Sequence, residues 1–178
     1  MFNSPAKYKF VQKDRNNYNT KSFKFVHIYK FHIKNNHSLR KYIVKIAEFS
    51  NHLFTVEFYA KINDGGAKDN RYKILTNQKV MGRVGATVLS IIKEFAQKYK
   101  NSCFGIAAAP FKHEQSDNFT KRCKVYSLIL SYTTKGNDEF ELIVISKKSH
   151  IFIIRKKFSF EKRNTTLKNY EKIFSNIY

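Results

Sequence analysis

Between Ser22 and Lys34 the side chains alternate. Phe23, Phe25, His27, Tyr29, Phe31 and Ile33 share one face, and Lys24, Lys30, His32 and Lys34 fall on the other, with Val26 and Ile28 among them. A period of two that is rich in aromatics specifies a strand. Asn35 to Ser38 reads as a turn, and Lys41 to Phe49 as the partner strand, with Tyr42, Val44 and Ile46 on one face. Ser50 to His52 turns again into Leu53–Ile62, where Phe54, Val56, Phe58, Ala60 and Ile62 are the expected core positions. Three strands joined by short polar turns predict an antiparallel meander.

From Val80 the period changes. Val80, Val84, Val88, Ile91, Phe95 and Tyr99 recur every three or four residues, the spacing of an amphipathic helix, and Thr76 or Asn77 is placed to cap it. Gly82 and Gly85 fall in its first turns. Each is about 1 kcal/mol less favourable there than Ala, so glycine at these positions points to a close backbone approach, to a strand or to a ligand. Cys103–Ala109 then reads as a short strand and Phe119–Tyr132 as a second helix. A hairpin of Phe140–Ser146 and Ile151–Lys157 follows, then a terminal helix from Thr165. Arg71–Leu75 is a candidate extra strand. Residues 1–21 are polar and irregular and read as a flexible basic lead. The expected organisation is that lead, a single domain over 22–158, and a basic linker with a C-terminal helix over 159–178. The order β-β-β-(β)-α-β-α-β-β-α predicts a mixed α/β (α+β) protein with a mostly antiparallel sheet. A parallel component is expected where a helix joins two strands.

Charge is the second constraint. Lys and Arg number 34 against 13 Asp and Glu in 178 residues, a formal net charge of +21, and 16% of residues are aromatic. Residues 1–50 carry +9, 51–100 carry +5, 101–150 carry +2 and 151–178 carry +5, so the ends are the more basic parts. Excess cation destabilises a compact chain by self-repulsion, and a polyanion relieves it. The competing reading is compositional: in a Lys- and Asn-rich proteome, surface lysine carries no message. Cys103 and Cys123 lie in no metal-ligand spacing and are expected to be free thiols in a reducing, cytoplasmic setting. The N-terminal residues lack a signal-like apolar run, and no stretch is apolar enough for a membrane span.

Candidate contacts to a polyanion form several groups. Lys24, Lys30 and Lys34 alternate on the first strand, and Arg40, Lys41 and Lys45 open and follow the second. Lys121, Arg122 and Lys124, with Tyr126, form a cation–aromatic group at the start of the second helix. That end of the macrodipole repels cations, and a phosphate would offset the cost. Lys147 and Lys148 in the hairpin turn, with Arg155, Lys156 and Lys157 at its end, offer a phosphate-tracking edge. Aromatics of the first strand alternate onto the opposite face from its lysines, which argues against a base-stacking sheet. His113–Glu114 is a candidate acid–base pair in a loop, although adjacent polar residues are common by chance. No P-loop, G-x-S-x-G, H-E-x-x-H, Cys–His set or paired-carboxylate motif is present, so neither a reaction nor a cofactor or metal is assigned.

Two resemblances bear on this order. A meander, helix, strand, helix and closing hairpin is similar to the core order of the GNAT acyltransferases. Their Q/R-x-x-G-x-G/A loop corresponds here to Gln78–Ala86, which implies a weak acyl-CoA site at Gly82, Arg83 and Gly85, although the glycines are three apart instead of two. Leu75-Thr-Asn77, Val84-x-Ala-Thr-Val88, Phe95 and Arg122-x-Lys-x-Tyr126 resemble a family of uncharacterised small proteins of Bacteroides-type bacteria and tailed phages. Val125 stands where that family has Leu. The second resemblance implies a phage or mobile-element origin and no activity. Three readings stay open: a non-enzymatic nucleic-acid-binding protein contacting phosphates (DNA or RNA), a module that docks an acidic protein, and a GNAT-type acyltransferase.

Overall fold

The computed structural model describes residues 4–15, 23–35, 38–61, 78–108, 119–136 and 138–177. The meander forms as the alternation dictates, but another strand precedes it. β1 (Tyr8–Arg15), β2 (Phe25–Asn35), β3 (Ser38–Glu48) and β4 (Leu53–Lys61) pair antiparallel in sequence. The helix α1 (Gln78–Lys98) leads to β5 (Cys103–Ala107), and α2 (Lys121–Thr134) leads to the hairpin of β6 (Phe140–Ile145) and β7 (His150–Arg155). The last helix is α3 (Phe160–Ile177). Among the described residues these make one α+β unit on a seven-stranded sheet of order β1-β2-β3-β4-β5-β7-β6. Among the described strands only β4 and β5 pair parallel, as a helical crossover between them allows.

Alternation sorts the sheet into two cores. One face packs on α1 and α2, burying Tyr29, Phe31, Tyr42, Val44, Phe54 and Ile106 against Val84, Val88, Ile91 and Phe95. On the other, α3 covers Leu53, Cys103, Phe152 and Ile154 with Tyr170 and Phe174. Cys103 and Cys123 are free and belong to different cores, so the sheet itself keeps them apart. Burial pushes the Cys123 thiol up to about 11, which leaves it inert as a nucleophile at neutral pH.

Two sequence expectations change. Residues 1–21 are not a flexible lead throughout, because Tyr8–Arg15 completes the sheet edge. The backbone N–H of Ala6 donates to Thr87 Oγ1 at 2.8 Å and the Tyr8 hydroxyl to Glu94 Oε2 at 2.7 Å, which ties the segment to α1. Apart from Tyr8, this strand is exposed along its length, so it lacks the apolar alternation that marks a strand, and the open edge of β2 supplies its pairing. The segment after 159 is helix from Phe160, earlier than the expected linker allows. Phe23 leaves the alternation as well, because it precedes β2 and packs edge-on against Phe49 at 6.2 Å. The extra strand at Arg71–Leu75, the caps at Thr76 and Asn77, and His113–Glu114 lie outside the described residues.

The join between the two halves of the sheet is short. β4 and β5 pair only through Leu53–Cys103, Phe54–Phe104 and Thr55–Gly105. The buried Tyr170 hydroxyl sits across this junction, accepting from Phe54 N–H at 3.2 Å and facing the carbonyl oxygens of Phe54 and Cys103 at 3.0 and 2.5 Å. A Cβ at Gly105 would stand 2.8 Å from the Tyr170 ring and 2.9 Å from Phe174, so glycine is what lets α3 lie this close. Two substitutions test the clamp by urea unfolding. Tyr170→Phe leaves buried backbone groups unsatisfied and is expected to cost about 1–3 kcal/mol. Gly105→Ala is expected to cost about 1–3 kcal/mol through overpacking. A loss below about 0.5 kcal/mol in both, the range of an ordinary surface change, would refute the clamp.

Candidate nucleic-acid interface

Because α3 lies over β5, β7 and the start of β4, the same face of β1–β4 keeps its own chemistry. Cross-strand partners share a face, so the register can be read directly. Lys9 pairs with Lys30, which pairs with Ile43, which pairs with Tyr59. One step along, Gln12, Ile28, Lys45 and Glu57 form the next row, and beyond it in the other direction His32, Lys41 and Lys61 form another. Lys34 pairs with Leu39 at the end. Lys9, Lys30, Lys34, Lys41, Lys45 and Lys61 therefore stand on one surface, with Asp14 and Glu57 the acids of its described rows.

That surface is a checkerboard. Ile28 and Ile43 sit between lysines, and Lys30, Lys41 and Lys45 are half-buried, as expected when aliphatic stems lie on apolar neighbours and the ammonium stays wet. Lys9, Lys34 and Lys61 are exposed. Two of its pairs put like charges directly opposite each other, Lys9 against Lys30 and Lys41 against Lys61. Such pairs destabilise a sheet. Its aromatic is Tyr59, with Lys45 Nζ 5.7 Å from the ring centroid. The β2 and β3 rings Tyr29, Phe31 and Tyr42 lie on the opposite face at 2%, 1% and 3% exposure and are core, so no stacking platform of the RNA-recognition type faces outward from them.

The other predicted cations do not gather here. Lys24 precedes β2 at the far end of the face, its N–H bonded to Glu48 O at 2.7 Å. Arg40 pairs with Ile33 and so belongs to the helix-covered face. Lys121 and Lys124 are exposed on α2, across the sheet from the lysine surface. Arg122 and Tyr126 are buried, and the Tyr126 ring packs 4.8 Å from that of Phe58, so the cation–aromatic group divides into core and surface. Lys147 and Lys148 sit at one end of β7, and Lys156 and Lys157 at the other, about 20 Å away by strand rise, so they form no single edge. Lys148 also pairs with Glu171 at 3.1 Å.

Arg155 has a different task altogether. It is buried, donates to the carbonyls of Ala96 at 2.9 Å and Tyr99 at 3.4 Å, and lies over the Phe140 ring at 4.3 Å. Ala96 is in the last turn of α1 and Tyr99 follows it directly, where a helix concentrates negative potential, so Arg155 caps α1 from β7 and stands apart from the lysine surface. The acyl-CoA loop loses a glycine in the same way. A Cβ at Gly85 would overlap Ile129 Cγ2, so the residue serves the contact of α1 with α2, and Arg83 is exposed beside it. Of the V-x-A-T-V stretch, Val84, Thr87 and Val88 are core. His27 is a satisfied core histidine 3.4 Å from Glu48 and edge-on to Phe95, and burial lowers its pKa. Among the described residues no cluster of three or more His, Cys, Asp or Glu is placed to hold a metal, and no helix is long and apolar enough to cross a membrane.

Lys9 and Lys61 are the members that cation density along the chain does not reveal. Their signal is period-two placement beside Tyr8 and Tyr59. The structural assignments are testable by urea unfolding. Arg155→Met should cost about 2–3 kcal/mol by stripping charged donors from buried carbonyls, with no change in polyanion affinity per folded molecule. Gly85→Ala should cost about 1–3 kcal/mol, and much less in an Ile129→Ala background, where the opposing methyl is gone. An affinity loss in folded Arg155→Met would return that residue to the interface.

Compared with known proteins, the chain matches no family model, no curated protein and no solved structure.

Proposed function

We propose that this protein is a non-enzymatic nucleic-acid-binding protein of the cytoplasm that lays the open face of β1–β4 along a phosphate backbone, with little base readout. The observation that carries the reading is the register of Lys9 with Lys30 and of Lys41 with Lys61. A sheet that sets lysines opposite lysines on a face that no described element covers carries a repulsion that one polyanion lying across the rows relieves. Little base readout follows from the absence of outward aromatics on β2 and β3. Lysine ammoniums contact phosphates as point charges, which positions the partner without reading sequence.

A second reading shares this face. Leu39 is 67% exposed beside Lys34, and Ile28 and Ile43 are half-buried between lysines, a mixture that also suits an acidic protein surface. Pull-down after nuclease treatment separates the two, because a protein partner survives it and a nucleic-acid-mediated one does not. The acyltransferase reading has lost Gly85 to helix packing and has no observation in its favour beyond element order.

Anisotropy titrations with labelled single-stranded and duplex DNA and RNA across a salt series test the proposal. About six phosphate contacts predict a fall in affinity of about 1,000-fold between about 50 and 200 mM salt. Lys41→Gln and Lys61→Gln should each reduce the salt slope by about 1. Each should also leave the free protein as stable as before or a few tenths of a kcal/mol more so, since a like-charge pair is removed. Undetectable binding to all four at about 50 mM salt, or slopes untouched by both substitutions, would sink the idea.

A further inference from the structure

The outer side of α2 is built differently from the lysine face. Leu128 and Tyr132, one helical turn apart, are 58% and 66% exposed, and they lie between Lys124 and Lys135 on the same side of the helix. The whole of α2, Lys121–Thr134, contains no Asp or Glu. Beside its C-terminal end opens a cleft of about 330 Å³, within the size range of ligand-binding clefts. Its floor is aliphatic, from the buried Ala86 and Leu89 of α1, and Lys93, Tyr132 and Lys135 stand around it with Pro5 and Ser90. Apolar surface is thus offered at the centre of a strip with cations at both ends.

We infer that α2 and this cleft form a docking site for an acidic protein segment that carries apolar anchors, separate from the lysine face of the sheet. Charge complementarity selects the occupant's flanks: carboxylates meet Lys124 at one end and Lys93 and Lys135 at the other. Apolar complementarity selects its centre, because the exposed apolar area of Leu128, Tyr132 and the aliphatic floor leaves water when an apolar partner covers it. A sugar–phosphate chain would satisfy the lysines and leave that centre wet, so the observations favour a peptide. Lys124 to Lys135 spans about 16 Å along the helix, so about three turns of a partner helix, or a short extended segment, suffice. This inference does not depend on nucleic-acid binding by the sheet.

The experiment is a displayed library of acidic twelve-residue peptides with two variable apolar positions. It is selected in parallel on the unmodified protein and on Leu128→Ala/Tyr132→Ala, whose fold is checked by circular dichroism. The expected result is enrichment of peptides whose apolar residues are flanked by carboxylates. They should bind the unmodified protein at least 10-fold more tightly than the double variant and equally well to Lys41→Gln/Lys61→Gln. Peptides that bind both the double variant and the unmodified protein equally, or that bind as well with alanine at both apolar positions, overturn it. So does a failure to enrich any such peptide. If a labelled oligonucleotide loses affinity at the double variant and displaces the peptides, the strip belongs to nucleic acid and the inference is again overturned.

Discussion

The Tyr170 hydroxyl holds the molecule together at its narrowest point. The meander β1–β4 and the β5-β7-β6 unit share only three residue pairs, and that ring inserts where they meet, bonding backbone of β4 and facing a carbonyl of β5. A parallel junction this short contributes little hydrogen bonding of its own, so continuity of the sheet depends on what packs across it. On one face that is α3, admitted by Gly105. On the other it is Phe54 and Phe104, stacked at 5.6 Å and backed by Phe95.

The placement of α3 also decides which part of that sheet face it covers. Among the described residues, a helix covering β5 and β7 leaves half of one sheet face without a lid, and the residues there are those that tolerate water: lysines with aliphatic stems, interleaved with isoleucine. Had α3 been centred on β3, the same lysines would need burial, which their charge forbids. Position of the cover and composition of the bare half are thus consistent with one another.

Much of the architecture was legible because it rests on periodicity. Two-residue alternation at Phe25–Ile33 and four-residue steps from Val84 to Phe95 report directly which side chains leave water, and the core under α1 and α2 follows from them. β1 was not legible, since an edge strand with exposed side chains is held by a neighbour's unpaired backbone and leaves no apolar pattern. The lysine surface was half legible. Lys30, Lys34, Lys41 and Lys45 follow from alternation, whereas their union with Lys9 and Lys61 requires knowing which strands adjoin and in what register. Arg155 and Arg122 misled for a related reason: a guanidinium buried on helix carbonyls or in the core reads in sequence like any surface cation.

Local order along the chain is enough to place the described strands and helices other than β1, and to say that cations far outnumber acids and that aromatics and lysines of β2 part company. These depend on neighbours within a few residues, whose relative directions backbone geometry dictates. Tertiary structure alone decided which cations became neighbours, which one was withdrawn to cap a helix, and which glycines serve packing instead of a ligand. Those outcomes turn on contacts between residues as distant as Phe54 and Tyr170, or Ala96 and Arg155. No short window of sequence encodes them, because they exist only once burial has fixed the layers relative to one another.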